Sequence, residues 1–358
     1  MFVRWRVGMR AGLYGGRGFF GRGERAGAHF RTSVHVGAVF AAGVARLLEE
    51  VDVRLGRPEA LDFVDMGAGG GELGTAVVAA LPPEVAARVR VHAVDVAPRP
   101  EGLDDRVTWS AEPPRGARGL LFANEWLDNV PLDVAAPDPH GTPRYVEVDP
   151  ETGEERLGEP LEPDDSAWLA RWWPHPDDGE PGSPNGVPDR VPESPGELLV
   201  PPADGPFAWR AEIGRSRDAA WARAVDGMAA GLAVAADYGH TRTGRPRWGT
   251  LTGYRKGRQV APIPDGSRDV TAHVAMDAVA GIRGGTLTTQ REALRALGVS
   301  GTRPPLALAG QDPAGYVRAL AAAGEAAELT ARGGLGDFLW LTTAIDPQSA
   351  APAPPTTE

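Results

Sequence analysis

The sequence predicts an α/β protein built on a parallel β-sheet, and three observations support this fold class. Short apolar strands alternate with helical patterns between residues 34 and 126. The alternation breaks at 137–215, and helices and strands then return between 214 and 345. Because parallel sheets bind ligands at the carboxyl ends of their strands, the polar residues that follow each predicted strand are the first candidates for a site.

Hydrophobic spacing and breaker residues define the individual elements. A helix at 34–55 precedes a buried strand at 60–67, and the next helix, "ELGTAVVAALPP", ends at Pro82 and Pro83. The remaining predicted strands lie at 88–96, 106–110, 119–126, 231–240 and 336–345. The remaining predicted helices lie at 214–230, 271–298 and 311–328, with a loop or hairpin at 241–270.

Composition shifts along the chain predict its domain organisation. Residues 1–33 form an arginine-rich N-terminal arm, and the main domain is formed by 34–136 and 207–345. The segment 137–206 is an insertion that contains a hairpin with a Thr-Gly turn, an aromatic helix and, at 174–206, a mobile loop rich in proline. The tail at 346–358 is rich in Ala, Pro and Thr, and we expect it to be disordered.

Composition also excludes several classes of function. The 358 residues include no cysteine, which excludes disulfides, cysteine nucleophiles and thiolate metal sites. The net charge of −11 argues against a nucleic-acid partner. No apolar run approaches the ~20 residues of a membrane span, and no secretory signal precedes the first helix, so we expect a cytoplasmic protein. The seven histidines are scattered, and no metal site is predicted.

The most informative motif is "VDMGAGGGEL", which stands between a predicted strand and a predicted helix. Two registers fit it. Gly69, Gly71 and Gly74 match the dinucleotide pattern G-x-G-x-x-G. Alternatively, Asp65, Gly67, Gly69 and Gly71 match acid-x-G-x-G-x-G, the pattern of class I methyltransferases that use S-adenosylmethionine (SAM).

The charge of the ligand favours the second register. An acid at the entrance of the loop would repel an anionic pyrophosphate, whereas SAM carries a sulfonium and an ammonium group that suit Asp65. Asp95 ends the second strand, where an acid accepts hydrogen bonds from ribose hydroxyls in either register. A glycine turn that only packs the helix on the strand remains a third interpretation.

Polar residues also follow the fourth and fifth predicted strands. Asn124, Glu125 and Asp128 stand where the fourth strand ends, although such residues are often only turn formers or helix caps. Asp237 and His240 end the next strand. His240 is a candidate general base, and a loop histidine bonded to the backbone is an equally good interpretation.

The chain resembles the MidA family of SAM-dependent methyltransferases. The resemblance rests on ordered motifs that cover most of the chain: "GFF…GAHFRTSV" at 18–34, the glycine motif at 65–73, "NEWLDNVPL" at 124–132, "ADYGH" at 236–240, "DVTAHV" at 269–274 and "LTTQREALRALG" at 287–298. It implies a class I, Rossmann-like, doubly wound sheet with an inserted segment and a helical C-terminal elaboration. It also implies a protein substrate, with arginine as the methyl acceptor.

The resemblance assigns roles to individual residues. SAM would be bound by Asp65, Gly67, Ala68, Gly69, Gly71 and Asp95. Asn124, Glu125 and Asp128 would face the methyl group and the acceptor, and Ser33, Asp237 and His240 would contact the substrate. A carboxylate pair formed by Glu125 and Asp128 could hold a guanidinium bidentately. The alternative is a module with the same fold that binds a partner during assembly without catalysis.

Overall fold

The computed structural model describes residues 1–24, 32–174 and 207–346. Residues 25–31 of the predicted arm, 175–206 of the predicted loop and 347–358 of the predicted tail lie outside the described residues. The chain divides into two compact units. The first unit comprises Met1–Arg22, Asp128–Asp218 and Gly239–Val279, and the second comprises Gly23–Leu127, Ala219–Tyr238 and Ala280–Glu358.

The helices and strands of the described residues are as follows. The helices are α1 (Trp5–Tyr14), α2 (Ala38–Arg54), α3 (Glu72–Ala80), α4 (Pro83–Ala86), α5 (Pro163–Trp172), α6 (Arg215–Asp226), α7 (Met276–Arg283), α8 (Gln290–Ala296), α9 (Ala307–Gln311) and α10 (Pro313–Leu329). The strands are β1 (Val3–Arg4), β2 (Leu61–Met66), β3 (Val89–Val94), β4 (Val107–Ser110), β5 (Ala117–Asn124), β6 (Asp133–Pro137), β7 (Pro143–Val148), β8 (Glu155–Pro160), β9 (Ala211–Ile213), β10 (Met228–Asp237), β11 (Gly239–His240), β12 (Thr252–Arg255), β13 (Arg258–Val260), β14 (Asp269–Thr271), β15 (Val274–Ala275), β16 (Thr286–Thr289) and β17 (Leu339–Ile345).

The second unit is built on a seven-stranded sheet in the order β16-β17-β10-β5-β2-β3-β4. The five strands from β10 to β4 are parallel, whereas β17 pairs antiparallel with β10 and with β16. The chain passes from β2 outward to β3 and β4, and then returns to β5 and β10 on the other side. The strand order therefore reverses between β2 and β5, which is where open α/β sheets bind ligands. The predicted α/β class is confirmed.

Apolar packing on the central strands holds this sheet together. Every residue of β2 is buried, as is typical of parallel strands that are covered on both faces. Phe40 and Val44 of α2 belong to the same buried cluster as Phe63 of β2 and Phe122 of β5. The centre of the sheet thus lies in the main hydrophobic core of the unit.

The first unit contains an antiparallel sheet in the order β1-β7-β6-β9, with β8 paired to β7. The β7–β8 hairpin confirms the prediction made from the Thr-Gly turn. Trp5, Met9 and Leu13 lie on one face of α1 and are buried in a cluster with Val134 of β6 and Val148 of β7. Two smaller sheets, β13-β12-β14 and β11-β15, complete the unit.

The structure differs from the predicted domain boundaries. Residues from the predicted arm form β1 and α1, and parts of the predicted main domain belong to the same unit as the insertion. The reason is pairing between distant segments, which local patterns cannot reveal. Val3 of the predicted arm pairs with Val148 of the predicted insertion, and Ala135 of the predicted main domain pairs with Tyr145 of the insertion.

The predicted continuous helix over 271–298 is wrong. This stretch holds two short helices, α7 and α8, with strand β16 between them. Gly284 and Gly285 follow α7 with φ of 73° and 136°, and such left-handed conformations end a helix. Across the described residues, no helix has the length and apolar character needed to cross a membrane.

We expect Met9→Ala to lower the free energy of unfolding by about 2–5 kcal/mol, because Met9 is fully buried and its loss leaves a cavity under α1. Val7→Ala on the same helix is the matched control, since Val7 is 52% exposed and its truncation should change stability by no more than about 0.5 kcal/mol. Urea unfolding measures both. Equal effects of the two substitutions would contradict the packing of α1.

Candidate functional site

The glycine motif forms a tight loop between β2 and α3 in the second unit. Gly67, Gly69 and Gly71 all adopt left-handed conformations, with φ of 69°, 59° and 78°. Only glycine enters this region without steric cost, so the three glycines are required by the path of the backbone itself. Helix α3 begins directly afterwards at Glu72.

Three carboxylates accept hydrogen bonds from the backbone of this loop. The N–H of Gly69 donates to Asp95 at 2.9 Å, that of Gly70 donates to Glu72 at 2.8 Å, and that of Gly74 donates to Asp65 at 3.2 Å. A dinucleotide pyrophosphate would need such N–H groups for itself. The loop is therefore built for a ligand without phosphate that carries positive charge, which favours the SAM register.

Two further N–H groups of the loop are bonded to the neighbouring strand, and that of Gly71 donates to the carbonyl of Ala68 within the loop at 2.7 Å. The N–H groups of Gly67 and Ala68 both donate to the carbonyl of Val94 at the end of β3, at 2.9 and 3.2 Å. Ala68 is 6% exposed. Because their N–H groups are engaged, Gly67 and Ala68 can make the predicted contacts with the cofactor only through other atoms, such as those of the carbonyl groups.

Asp65 lies behind the loop and is 3% exposed. Burial, together with repulsion from Asp95 and Glu72, raises the pKa of Asp65 to about 7, although the hydrogen bond from Gly74 opposes the shift. Asp65 thus supports the loop directly through its bond to Gly74, and its predicted role in binding SAM stays a prediction.

Asp95 follows β3 and is partly exposed, as the prediction of a ribose acceptor requires. Its Oδ1 also accepts from the N–H of Ala97 at 2.8 Å, so the carboxylate is oriented by two backbone groups. A Cβ on Gly71 would lie 2.9 Å from the Leu103 side chain, and one on Gly67 would lie 2.9 Å from Trp126. Leu103 and Trp126 therefore border the loop, together with Glu72.

Glu72 and Leu103 were absent from the predicted site. An acid in the first turn of a helix that follows glycines is a signal that could have identified Glu72. Leu103 carries no such local signal, because it reaches the loop through the tertiary fold.

The end of β5 carries the predicted catalytic residues Asn124 and Glu125. The pairing of Met66 with Ala123 makes Gly67 and Asn124 the first residues beyond the paired ends of β2 and β5. Glu125 has a φ of 48°, a left-handed conformation that costs a residue with a side chain about 1–3 kcal/mol. Such strain persists only where the surroundings enforce it.

Two donors meet on the Glu125 carboxylate. The backbone N–H of Ser33 and the Nδ2 of Asn124 each donate to its Oε1 at 3.0 Å. Because a carboxylate only accepts, the orientation of the Asn124 amide is fixed. Within the described residues, Oδ1 of Asn124 is buried and has no hydrogen-bond partner, so it is an acceptor suited to an N–H donor.

Strand β10 braces this turn from the other side. The N–H of Glu125 donates to the carbonyl of Ala236 at 2.8 Å, and the N–H of Leu127 donates to Oδ2 of Asp237 at 3.0 Å. Asp237 is 1% exposed. The structure thus shows Asp237 supporting the turn, and its predicted contact with a substrate stays a prediction.

Ser33 is also fully buried, and its hydroxyl lies against Gln290. It reaches the site through its backbone N–H to Glu125 rather than through its side chain. The predicted contact of Ser33 with a substrate stays a prediction.

Asp128 belongs to the first unit. Its Oδ2 accepts from the hydroxyl of Thr271 at 2.7 Å, its carbonyl accepts from Arg217, and it is 1% exposed. These contacts show a carboxylate held inside its unit. The carboxylate pair of Glu125 and Asp128 stays a prediction.

His240, also in the first unit, is neutral. Burial and the nearby charge of Arg245 lower the pKa of His240 well below its usual range. Nη1 of Arg245 donates to Nδ1 of His240 at 2.7 Å, and a guanidinium only donates, so the ring proton is on Nε2. Because its Nδ1 is engaged by Arg245, this tautomer does not fit the general-base role, and the predicted contact of His240 with a substrate stays a prediction.

In the described part of the chain, no group of three or more His, Cys, Asp or Glu residues is arranged to hold a metal ion. At the candidate site, the described residues form two groups. One is the glycine loop with its carboxylates, and the other is the Asn124–Glu125 edge, which consists of these two hydrogen-bonded side chains at the end of β5. Both lie at the reversal between β2 and β5.

Comparisons with known proteins agree with this arrangement. The family described as "Putative S-adenosyl-L-methionine-dependent methyltransferase" matches residues 44–292. A crystal structure from Burkholderia thailandensis, described as a "likely methyl transferase" bound to S-adenosyl-homocysteine, is similar with a TM-score of 0.68 and 22% identity. The similarity covers 96% of this chain and 89% of that one.

A native structure of a protein of the same superfamily, also from Burkholderia thailandensis, has a TM-score of 0.69 and 22% identity, and the match covers 96% of this chain and 88% of that one. At this identity the two structures show a shared fold. No curated protein matches the chain. Because the family match spans residues 44–292, including the glycine loop, Asp95 and the end of β5, the chain belongs to this family of SAM-dependent methyltransferases.

Proposed function

We propose that this protein transfers the methyl group of SAM to a nitrogen atom of a protein side chain, and that the acceptor is arginine. The site would be of class I, Rossmann-like type, with the cofactor on the glycine loop and the acceptor at the end of β5. The observation that carries the proposal is the Asn124–Glu125 edge, where a side chain with a buried acceptor oxygen is hydrogen-bonded to a carboxylate. The ordered motifs shared with the MidA family support the choice of arginine.

The residues of the loop fit SAM. Three left-handed glycines let a ligand approach the backbone closely, and Asp65, Glu72 and Asp95 supply negative charge around it. Bound there, SAM would supply an electrophilic methyl group with a thioether as the leaving group. Asp95 is the residue oriented to accept from ribose hydroxyls.

The chain's own task at the other edge is to hold and orient the acceptor. A guanidinium stays protonated, with a pKa above ~12, and pairs strongly with a carboxylate. Glu125 would hold this charge, while Oδ1 of Asn124 accepts an N–H from the guanidinium. Aligning a nitrogen with a methyl group in this way accounts for much of the rate of an in-line displacement.

The transfer is balanced without a metal or a covalent intermediate. An N–C bond forms, an S–C bond breaks, S-adenosyl-homocysteine leaves as a neutral thioether, and one proton passes from the methylated nitrogen to water. The non-catalytic alternative is not favoured, because the loop and the acceptor edge are both intact. The cytoplasmic location stays a prediction.

The raised pKa of Asp65 predicts how SAM binding depends on pH. The positive charge of SAM favours the ionised carboxylate, so we expect wild-type affinity, relative to Asp65→Asn, to increase as the pH rises from 6 to 8. Comparison with Asp65→Asn cancels the titration of the ligand's own ammonium group. Calorimetric titration in two buffers of different ionisation enthalpy should show that the wild type releases more protons on binding SAM than Asp65→Asn does.

The raised pKa of Asp65 also predicts how the stability of the folded chain changes with pH. Between a pH of about 4 and about 7, the folded chain keeps a proton on Asp65 that the unfolded chain has released. Raising the pH through this window should therefore lower the free energy of unfolding of the cofactor-free wild type more than that of Asp65→Asn. Identical pH profiles for the two proteins would contradict the assignment.

We expect Glu125→Gln to weaken binding of N-acetylarginine methylamide to protein loaded with S-adenosyl-homocysteine by about 10- to 100-fold, because a charge-assisted hydrogen bond is lost. SAM affinity should stay within about twofold of the wild-type value. Glu50→Gln on the exposed face of α2 is the matched control.

Transfer of tritium from labelled SAM to the same probe tests the reaction itself. Wild-type protein should methylate the arginine probe and leave N-acetyllysine methylamide unmodified. Transfer to the lysine probe alone would overturn arginine as the acceptor, and SAM binding without transfer to either would leave the family cofactor in place but reject the proposed acceptor.

A further inference from the structure

A chain of buried polar side chains runs through the second unit and ends at Glu125. Nε1 of Trp340 donates to Oε1 of Gln290 at 3.2 Å, and Nε2 of Gln290 donates to the hydroxyl of Ser33 at 3.2 Å. The backbone N–H of Ser33 then donates to Glu125 at 3.0 Å. Gln290 and Ser33 are fully buried, and Trp340 is 2% exposed.

The surroundings of this chain are apolar and tightly packed. The Trp340 ring lies edge-on against Phe122 and Phe40, with ring centroids 5.2 and 6.3 Å apart. Nε2 of Gln290 also donates to the carbonyl of Leu329 at 3.3 Å, which engages both ends of its amide. Burying an amide costs free energy unless its groups are bonded, and an apolar side chain would fill this core without that requirement.

The aromatic contacts connect the chain to the strand that carries the site. Phe122 stands on β5 two residues before Asn124, and it fixes the Trp340 ring. The end of β5 is therefore held in two ways. Phe122 packs against the Trp340 ring, and the hydrogen-bond chain through Ser33 reaches Glu125.

Glu125 is the residue that needs such support. Its left-handed backbone is strained, and its carboxylate accepts from the amide of Asn124, whose Oδ1 lacks a partner within the described residues. Strained residues of this kind cluster at functional sites, where the surrounding structure holds them in place. A buried hydrogen-bond chain that ends on such a residue has the form of a positioning device.

We infer that Ser33, Gln290 and Trp340 are positioning residues that hold the Glu125 carboxylate in the orientation required to receive the N–H groups of a guanidinium. The inference rests on the proposed function and deepens it. According to this inference, the affinity for the acceptor depends on these three residues although they do not touch the acceptor. The affinity for SAM does not depend on them.

The first test needs no substrate. We expect Gln290→Leu to accelerate hydrogen exchange of the Ser33 amide by at least about tenfold, because the loss of Gln290 loosens the segment that donates to Glu125. Trp340→Phe keeps an aromatic ring in the core and leaves the amide of Gln290 in place, while it removes the Nε1–H donor and part of the ring volume, so it should accelerate exchange to a smaller extent. It also keeps the test interpretable if Gln290→Leu folds poorly.

Thr343→Val is the matched control. Thr343 lies on β17 with Trp340, is 3% exposed and donates to the carbonyl of Gly284 at 2.9 Å. Its substitution breaks a buried hydrogen bond of the same sheet without reaching Glu125. Unchanged exchange at Ser33 in Gln290→Leu, or equal acceleration in Thr343→Val, would overturn the inference.

The second test separates positioning from a general loss of structure. Gln290→Leu should weaken binding of N-acetylarginine methylamide to protein loaded with S-adenosyl-homocysteine by about tenfold and leave SAM affinity within about twofold. The double variant with Glu125→Gln should bind the probe no more weakly than Glu125→Gln alone, because both substitutions act on one interaction. Additive losses, or a parallel loss of SAM affinity, would overturn the inference.

The two tests also separate this inference from the function on which it rests. If the wild type binds SAM but not the arginine probe, the proposed acceptor is rejected. Even then, faster hydrogen exchange of the Ser33 amide in Gln290→Leu, but not in Thr343→Val, would support the conclusion that the buried chain holds Glu125 in place.

Discussion

The register between β2 and β5 is the constraint on which the rest of the site depends. Met66 pairs with Ala123, so both strands end at the same level of the sheet. The glycine loop and the Asn124–Glu125 edge leave the sheet side by side for this reason, although more than fifty residues separate them in the sequence. A slip of one residue would turn every side chain of β5 to the opposite face and remove the edge altogether.

Charge then decides what the loop can bind. The N-terminus of a helix attracts anions, and in many nucleotide-binding proteins it receives a phosphate. In this protein, Asp65 and Glu72 already accept from N–H groups at the start of α3. Carboxylates rather than a phosphate therefore bond these N–H groups. This arrangement supports the proposal that the loop binds a cationic cofactor.

The sequence could predict the parts of the site that depend on local structure. Asp65 lies near the end of β2, and the left-handed glycines and Asp95 follow strands directly, so the motif alone predicts where they lie. Ser33 and Gln290 also belong to recognisable motifs, but their meeting depends on the packing of distant segments around Trp340. The first unit could not be predicted from the sequence for the same reason, because its strands come from three separate stretches of chain.

The surroundings of two predicted site residues show what a sequence cannot express. Asp237 and His240 end a predicted strand and carry suitable chemistry, yet burial and partners determine what each can do. Asp237 accepts from Leu127, and Arg245 fixes the tautomer of His240. Residue type therefore gave a list of possible roles, whereas the hydrogen-bond partner selected among them.

The backbone strain at Glu125 and the buried hydrogen-bond chain that ends there belong to one arrangement. A left-handed glutamate costs about 1–3 kcal/mol, which is a substantial fraction of the stability of a folded domain. Glycine at this position would relieve the strain but remove the carboxylate. The fold keeps the carboxylate and stabilises the turn through Ala236, Asp237 and Ser33. Such an arrangement is expected where the direction of a charge matters more to the protein than the stability that it costs.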